Sequence, residues 1–229
     1  MNFWLIMSDL CKGFGETLKL FALTLVIAIP LGLLLCFCSM SRFKPLSWLT
    51  KGFIWIIRGT PLLLQCVIVT FIPSTVLHIP NKEFMQLLHL DSITSLQFLF
   101  VLIAFGINYA CYFAVIFEGG IKNIPKGQQE AGQVLGMTKR QIFIHIVLMQ
   151  VVRKIVAPMS NEIITLVKDT ALARTLGIAE VLLVAYEKVN YYAVITPLLY
   201  AGGFYLAFSG LLTILFHLLE KKIGYYEVV

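Results

Sequence analysis

Runs of apolar residues without a single charge alternate along the chain with shorter polar stretches. Such runs cover residues 20–40, 59–79 and 92–117, and each is at least 21 residues long. About 20 apolar residues in a helix are enough to cross the hydrocarbon layer of a bilayer. The pattern therefore predicts three membrane-spanning helices at these positions.

The fourth span is harder to place than the first three. Two apolar runs, 142–152 and 155–167, are each shorter than a bilayer requires, and the pair Arg153-Lys154 separates them. The second run also holds polar residues that a span would direct towards a cavity or a partner helix. We therefore place the fourth span at 153–168.

A last uncharged run, 191–219, is longer than a bilayer requires, so we expect this fifth span to tilt or to emerge as helix. At the other end of the chain, 1–19 mixes aromatic and charged residues and is expected to lie at the membrane interface. The whole pattern predicts an all-α fold, an integral membrane helical bundle of about five transmembrane helices in a single domain, 1–229.

The longest hydrophilic segment, 121–140, lies between the third and fourth spans. Pro125 fits the first turn of a short helix, and Gly136 can end that helix by taking a positive φ angle. Thr138 with Gln141 three residues later forms a capping-box pattern, which starts another helix at once. The segment is therefore predicted to be a bent helix-turn-helix, too short to be stable alone.

The short helix of this segment carries a small apolar face. Ala131, Val134 and Leu135 fall at i, i+3 and i+4, and glutamines surround them. Two interpretations are open: an element that docks in the groove of a partner protein, or an amphipathic connector that lies on the lipid headgroups.

Composition supports the membrane class and excludes an ordinary soluble domain. Hydrophobic residues make up 59% of the chain and charged residues 13%, and the mean hydropathy is +0.88. The net charge of +6 would also suit a nucleic-acid-binding protein, but the basic residues lie in loops between the apolar runs. Five cysteines and four histidines show no spacing typical of a disulfide framework or a metal site. We therefore expect neither nucleic acid nor a metal ion as a partner.

The distribution of basic residues sets the expected orientation. Twelve of the 18 Lys and Arg residues fall in the stretches after the first, third and fifth spans, whereas five fall in the other polar stretches. Short cytoplasmic loops carry the excess of Lys and Arg. The N-terminus and 170–190 are therefore expected outside, and the C-terminus and the loop 118–152 in the cytoplasm.

Polar residues concentrate at the end of the fourth span. Glu162, Thr165 and Asp169 are separated by three and four residues, so they share one face of a helix. A charged residue at the centre of a span costs about 2.5 to 3.5 kcal/mol, so it normally faces a cavity or a partner. Two interpretations remain: a hydrogen-bonded network between helices, or the lining of a path for a zwitterionic amino acid. The residues assigned to this path are Gln65, Asn108, Asn161, Glu162, Thr165, Lys168, Asp169 and Thr170.

Several motifs occur in the order typical of one protein family. E-A-G at 130–132, followed by Gly136, is similar to the E-A-A-x3-G motif of membrane subunits of bacterial ATP-binding cassette importers. R-G-T-P-L-L-L-Q at 58–65 resembles the R-G-T-P-L-L-x-Q of polar amino acid permeases, and G-G-I at 119–121 and N-E to K-D-T within 161–170 match the same family. By this resemblance the chain is identified as a member of the polar amino acid permease family.

The resemblance implies a type I importer-like fold with a cytoplasmic coupling helix in the loop 118–152. In the family this loop docks into the ATPase subunit. The corresponding coupling residues are Gln128, Glu130, Ala131, Gly132, Leu135 and Gly136. The residues implied as a hinge or a contact between membrane subunits are Arg58, Gly59, Thr60 and Pro61.

The resemblance also implies a function and partners. The chain would be the permease subunit of an ATP-driven importer in the bacterial cytoplasmic (inner) membrane, forming the path for a polar amino acid. Its implied partners are ATPase subunits, a second permease chain that is identical or similar, and an extracytoplasmic amino-acid-binding protein. No cofactor is expected in this chain, because ATP and Mg would bind to the ATPase subunits.

A rival class, a self-contained small channel or membrane enzyme, would use the polar cluster without partners. The chain has no G-x4-G-K-[ST], no H-E-x-x-H and no G-x-S-x-G motif. A membrane enzyme acting on activated lipid headgroups should show several acids at the inner surface, whereas the loop 118–152 holds only Glu118 and Glu130. These features favour a transporter subunit that is not itself an enzyme.

One short stretch departs from the family pattern. The family commonly reads A-E-x-x-R before G-G-I, whereas this chain has Val115 and Glu118, which removes one carboxylate and reverses one charge. Ala171 stands where the family has a serine. The contacts that these positions make in the family are not carried over to this chain.

Overall fold

Nearly the whole described chain is helical. The computed structural model describes residues 3–76, 78–90 and 92–224. In chain order, the elements are α1 (Phe3–Ser39), α2 (Lys44–Arg58), α3 (Leu62–Thr75), α4 (Asn81–Leu87), α5 (Ile93–Lys122), α6 (Lys126–Val134), α7 (Lys139–Gln141), a π-helical segment (Ile142–Val147), α8 (Leu148–Asp169), a 3-10 helix (Thr170–Leu176), α9 (Val181–Tyr192) and α10 (Thr196–Gly224). No strand occurs within these ranges, so the all-α prediction is confirmed.

Four helical segments are long and apolar enough to cross a membrane: Phe3–Ser39, Ile93–Lys122, Lys139–Leu176 and Thr196–Ile223. A fifth crossing can be formed by α2 and α3, which follow one another at a bend of 108°. The predicted number of about five transmembrane helices is therefore confirmed. The helices nevertheless begin and end at residues that differ from the predicted bounds.

The first crossing is longer than the predicted span 20–40. α1 continues without a break from Phe3, so most of the segment expected at the membrane interface belongs to the same helix. Gly13 allows α9 to cover this part of α1, because a Cβ added there would lie 3.0 Å from Val181 Cα. Asp9 also pairs with Lys188 of α9 at 2.5 Å. Contacts with α9 therefore draw the beginning of α1 into the bundle.

The basic stretch after the first crossing forms a helix, α2, where the apolar pattern indicated only a connection. Pro45 stands in its first turn, where the missing N–H of proline costs nothing. The predicted second span, 59–79, contains the shorter helix α3, which ends at Thr75. α3 alone has 14 residues, fewer than a bilayer requires, so the second crossing also needs residues on either side of it; α2 meets α3 at a bend of 108°.

α5 is the centre of the bundle, with 67% of its most apolar stretch buried. α1 packs closely along it because glycines stand at the contacts. A Cβ added at Gly32 of α1 would lie 2.9 Å from Phe113 Cβ, and one at Gly106 of α5 would lie 3.0 Å from Ile27 Cγ2. α3 and α8 also pack against α5.

The fourth predicted span, 153–168, lies within a helical segment that runs from Lys139 to Leu176. The charged pair in the middle of the sequence pattern does not end this helix. Lys154 Nζ reaches back to donate to the carbonyl oxygen of Asn123 at 2.6 Å, as long basic side chains do near a membrane surface. The two short apolar runs are therefore parts of one helix. The fifth crossing, α10, begins at Thr196, later than the predicted 191.

Glu180 is the N-cap residue of α9, and its side chain is fully buried. Its carboxylate accepts from the backbone N–H groups of Leu182 (2.8 Å) and Leu183 (2.7 Å) and from Tyr205 Oη (2.8 Å). Three donors compensate the loss of water around the carboxylate. Most of the segment 170–190, which is expected to be external, lies in the 3-10 helix and α9. Glu180 within this segment is not accessible to solvent.

We expect Gly120→Ala to force α5 and α8 apart. A Cβ at this position would come closer to Ile155 Cγ2 than two carbon atoms that are not bonded to each other can approach. Overpacking of this kind typically costs about 1 to 3 kcal/mol, so the thermal unfolding midpoint of the purified chain should fall. Gly119→Ala is the matched control, because a Cβ there meets nothing within 4 Å.

A double-mutant comparison identifies the contact responsible. Ile155→Ala removes the Cγ2 atom, so Gly120→Ala should be less destabilising in that background than in the wild-type chain. Equal midpoints for Gly120→Ala and Gly119→Ala would contradict the close approach of the two helices.

Candidate functional site

The hydrophilic segment after α5 forms a compact turn of two short helices. α6 begins at Lys126, and Pro125 is its N-cap with φ −58° and ψ 134°. The predicted place of Pro125 in the first helical turn is therefore wrong by one residue. The fixed φ of proline suits the extended cap as well as the first turn, so the sequence alone did not separate the two positions.

α6 ends in a Schellman motif, with Gly136 in the left-handed conformation at φ 73°. The N–H of Gly136 donates to the Gln133 carbonyl at 2.9 Å, and the N–H of Met137 donates to the Gly132 carbonyl at 3.0 Å. Glycine takes this conformation without the steric cost that a Cβ brings. The prediction that Gly136 ends the helix through a positive φ is confirmed.

The helix restarts at once through a capping box. Thr138 Oγ1 accepts from the Gln141 N–H at 3.3 Å, and Gln141 Oε1 accepts from the Thr138 N–H at 2.8 Å, as the sequence predicts. The π-helical segment Ile142–Val147 follows directly. Such wide turns occur frequently at functional sites, and the sequence pattern did not indicate this one.

α6 is held against the π-helical segment through Gly132, which is buried. A Cβ on Gly132 would lie 2.8 Å from Ile142 Cγ1 and 3.1 Å from Ile146 Cδ1. The apolar cluster beneath the turn consists of Ile124, Ile142, Val147 and Val151. The turn is therefore packed against the beginning of the fourth crossing. Gly132, a predicted coupling residue, lies inside this contact and not on the exposed surface.

The outer side of the turn exposes apolar side chains. Val134 is 87% exposed and Leu135 is 78% exposed. Leu135 is one of the predicted coupling residues, and those that are also exposed are Gln128, Glu130, Ala131 and Gly136. Large apolar side chains held at the tip of a rigid turn are typical of a surface that meets a partner. Their role in coupling stays a prediction.

A second candidate site is a polar pocket of about 490 Å³ between the start of α3, the middle of α5 and the end of α8. The lining residues are Thr60, Pro61, Leu62, Asn108, Tyr109, Tyr112, Glu162, Thr165, Asp169 and Leu172. As their spacing predicts, Glu162, Thr165 and Asp169 lie on one face of α8 and reach the same pocket. Two carboxylates, an amide and several hydroxyls are thus brought together between helices of the membrane-spanning bundle.

Gln65 supports the pocket from behind. Asn108 Nδ2 donates to Gln65 Oε1 at 3.0 Å, which joins α5 to α3. Gln65 Nε2 donates to the carbonyl of Ile57 at 2.7 Å and to Thr60 Oγ1 at 2.9 Å. Carbonyls at the end of a helix lack partners within it, and Gln65 supplies one for α2. Gln65 is buried and does not line this pocket, and its assignment to the path stays a prediction.

The two carboxylates of the pocket have different surroundings. Tyr109 Oη donates to Asp169 Oδ2 at 2.7 Å. Within the described residues Glu162 has no hydrogen-bond partner, and the charges that act on it are Arg58 and Asp169. The Arg58 guanidinium stacks on the Tyr112 ring, 4.9 Å from its centroid. Glu162 is therefore the acid whose oxygens remain available to a bound molecule.

Three more residues assigned to the path do not line the pocket. Asn161 and Lys168 are exposed on α8 beside it. Thr170 is fully buried, and its hydroxyl donates to the Val167 carbonyl at 2.6 Å. The change from α-helix to 3-10 helix at Thr170 directs this hydroxyl into the bundle, so its location contradicts a lining role.

Tyr109 and Tyr112 are lining residues that the sequence analysis missed. They lie in the most apolar part of the third span, where aromatic residues are normally interpreted as packing. A signal was present, because Asn108 and Tyr112 are four residues apart and therefore share a face of α5.

The R-G-T-P residues form the bend between α2 and α3. Arg58 ends α2, Gly59 is its C-cap, and Pro61 is the N-cap of α3. A Cβ on Gly59 would lie 3.0 Å from the Trp55 carbonyl oxygen. Because Thr60 and Pro61 also line the pocket, any change of this bend changes the pocket wall. The hinge or subunit contact implied for these residues stays a prediction.

The departure from the family pattern is compensated inside the chain. Glu118 accepts from Ser39 Oγ at 2.6 Å and forms an ion pair with Lys122. Val115, one turn earlier, lies on the same cavity wall as Glu118. The reversed charge at Glu118 therefore has its own partners within one subunit.

Comparison with known sequences agrees with this geometry. Residues 28–225 match the protein family described as "Binding-protein-dependent transport system inner membrane component". The chain is 32% identical over 213 residues to the arginine transport system permease protein ArtQ of Bacillus subtilis (strain 168), covering 93% of this chain and 91% of ArtQ. It is 30% identical over 227 residues to the L-cystine transport system permease protein TcyB of the same strain, covering 98% of this chain and 89% of TcyB.

Solved structures show the same architecture. A chain in the "Crystal structure of an amino acid ABC transporter with histidines" superposes with a TM-score of 0.79 at 25% identity, covering 97% of this chain and 99% of that chain. An inward-facing structure of the MetNI methionine ABC transporter has the same fold, with a TM-score of 0.65 at 19% identity and the same coverage. The chain therefore belongs to the family of binding-protein-dependent transport system inner membrane components, as a permease subunit of an ABC importer in which separate subunits hydrolyse ATP.

Proposed function

We propose that this permease moves a polar amino acid through the pocket between α3, α5 and α8. The observation that carries the proposal is the pocket itself, which brings two carboxylates and an amide together among apolar helices. Charged groups at membrane depth are costly and normally mark a substrate path. Glu162 and Asp169 suit the ammonium group of an amino acid, and Asn108 suits its carboxylate, with Arg58 beside the pocket on the Tyr112 ring.

The pocket favours a neutral or cationic amino acid over an acidic one. Its lining holds two acids and no cation. From beside the pocket Arg58 acts on Glu162 and Lys168 acts on Asp169, and Arg58 is already stacked on Tyr112. An additional carboxylate on the substrate would meet like charge, whereas an additional cation would not. The names of the relatives, an arginine and an L-cystine permease, agree with this preference.

A second permease chain, identical or similar, is proposed to complete the path. Asn161, Thr165 and Lys168 leave a polar surface exposed on α8 beside the pocket. Polar residues of a span normally face another helix or a water-filled cavity and not lipid. If the partner chain covers this face, Asn161 and Lys168 join the path between the two subunits.

The turn after α5 is proposed to dock into an ATPase subunit, which binds the ATP and Mg. Leu135 and Val134 would enter the partner's groove, and Gln128, Glu130 and Ala131 would surround them. The expected orientation places this turn in the cytoplasm, where ATP is present, and the N-terminus outside. An external binding protein would deliver the amino acid to the opposite face.

Single-cysteine labelling in a cysteine-free background tests the orientation. A membrane-impermeant maleimide should modify Leu87→Cys and Glu187→Cys in intact cells, because both side chains are exposed. It should modify Lys126→Cys and Arg140→Cys only after the membrane is permeabilised. Position 180 also lies in a segment that is expected to be external, but it is unsuitable for labelling because Glu180 is buried. Labelling of Lys126→Cys in intact cells would contradict the orientation.

Reconstitution tests the proposed transport. The permease with its ATPase and binding protein is placed in liposomes, and uptake of radiolabelled arginine, cystine, glutamine and glutamate is compared. We expect uptake to require ATP and the binding protein, and glutamate to be carried least. Flux through the permease alone without ATP would instead indicate a self-contained channel.

A further inference from the structure

A cationic stripe runs along the length of α2. Lys44, Lys51 and Arg58 are each seven residues apart, so they stand above one another on one side of the helix. All three side chains are exposed. Within the described part of the chain, none of them forms an ion pair with a carboxylate. Arg58 is stacked on Tyr112, so Lys44 and Lys51 carry the charges that remain available to an anion.

An apolar face lies directly beside the stripe. Trp48 is 80% exposed, Trp55 78%, Leu49 71% and Ile56 55%. These residues again repeat every seven positions. The buried residues of the helix are Ser47, Thr50 and Ile54. α2 therefore has three sides, of which one packs on the bundle, one carries the cations and one presents aromatic and aliphatic side chains outward.

The direction of α2 places these sides at a membrane surface. α2 makes an angle of 108° with α3. If α3 runs along the membrane normal, α2 lies about 18° from the membrane plane. A helix in the interface buries its tryptophans and leucines in the acyl region and keeps its lysines and arginines among the headgroups.

A cavity of about 440 Å³ opens where the stripe meets α5. Lys51, Arg58 and Lys122 line it together with Glu118. Glu118 is already paired with Lys122 and accepts from Ser39 Oγ at 2.6 Å. Arg58 is stacked on Tyr112, so Lys51 is the cation that remains in a cavity that is large enough for a phosphate headgroup.

We propose that α2 binds an anionic phospholipid of the cytoplasmic leaflet. The headgroup phosphate contacts Lys51 in the cavity, Lys44 lies seven residues earlier on the same stripe, and the acyl chains lie along Trp48, Trp55 and the apolar residues between them. Charge complementarity selects this occupant, because Lys and Arg on an amphipathic helix attract anionic lipids. Tryptophan and arginine are enriched at protein interfaces whereas lysine is depleted, so coverage of this face by a second protein chain is the alternative outcome of the test.

Tryptophan quenching by brominated lipids tests the proposal on the full-length chain. The chain has three tryptophans, so Trp4→Phe leaves only Trp48 and Trp55 as reporters. Two sets of phosphatidylcholine bilayers are prepared. One contains brominated phosphatidylglycerol, and the other contains the same fraction of brominated phosphatidylcholine. We expect the brominated phosphatidylglycerol to quench at least about twofold more strongly. Lys44→Gln/Lys51→Gln should abolish the difference, and Lys44→Arg/Lys51→Arg should keep it.

Lys221→Gln/Lys222→Gln is the charge-matched control, because these exposed lysines lie at the same predicted membrane surface but not on α2. It should leave the preference intact. Equal quenching of the wild-type reporters by both lipids would overturn the proposal, since the headgroup would then not be recognised. Weak quenching by both would also overturn it, because another protein chain would then cover the face. Neither result depends on transport, so the proposed function is judged separately.

Discussion

Leu135→Asp is expected to reduce both ATP-dependent uptake and substrate-stimulated ATP hydrolysis by at least about tenfold. The side chain is 78% exposed, so the replacement removes little from the fold of this chain. In a docked complex the aspartate would be buried in an apolar groove, and burial of an unpaired charge costs several kcal/mol. Because a factor of ten corresponds to about 1.4 kcal/mol, loss of the ATPase from the purified complex should accompany the loss of transport.

Leu87→Asp is the matched control for this variant. Leu87 is 67% exposed on α4, at the opposite surface by the expected orientation, and should tolerate the same change with uptake near the wild-type level. Thermal unfolding of both variants checks that the fold is retained. Wild-type transport by Leu135→Asp would mean that the turn is a surface connector, and the proposed docking would then fail.

Glu162→Gln is expected to lower uptake of a cationic amino acid by about tenfold or more while the complex with the ATPase stays assembled. The change keeps the volume of the side chain and removes only its charge. A hydrogen bond to a charged group contributes about 1.5 to 3 kcal/mol, which is the size of the expected loss. No intramolecular hydrogen bond of Glu162 is broken among the described residues, so the fold should not suffer.

Glu187→Gln removes an exposed carboxylate on α9 and is the control for the change in net charge. Its uptake should equal that of the wild type. A Glu162→Gln protein that fails to assemble would assign this residue to packing between subunits. Normal assembly with normal uptake would remove Glu162 from the proposed substrate path.

Features that depend on neighbours in sequence were predictable. Gly136 ends its helix, and Thr138 and Gln141 form a capping box, because the partners of each hydrogen bond are three to five residues apart. The shared face of Glu162 and Asp169 likewise follows from helical spacing alone. Local rules therefore gave the shape of the coupling turn and one wall of the pocket.

Features that depend on distant contacts were not predictable in the same way. Tyr109 becomes a pocket residue because its hydroxyl reaches Asp169, 60 positions further along the chain. Glu180 is buried because Tyr205 of α10 and the N-terminus of α9 supply its hydrogen bonds. Thr170 turns inward because the helix type changes there. A hydrophobicity pattern records none of these partners, so it assigned Thr170 and Glu180 to the wrong surroundings.

The two candidate sites lie on one continuous helical path. From Lys139 to Asp169 the chain stays helical, and the wide π-helical turn at Ile142–Val147 lies close to the docking end. About 30 residues of helix measure about 45 Å. A rod of that length that tilts by about 5° carries its far end sideways by about 4 Å, which exceeds the length of a hydrogen bond. The helical stretch from Lys139 to Asp169 can therefore act as a lever arm: a rotation of about 5° at its docking end, with α5 held in place, is sufficient to part Asp169 from Tyr109.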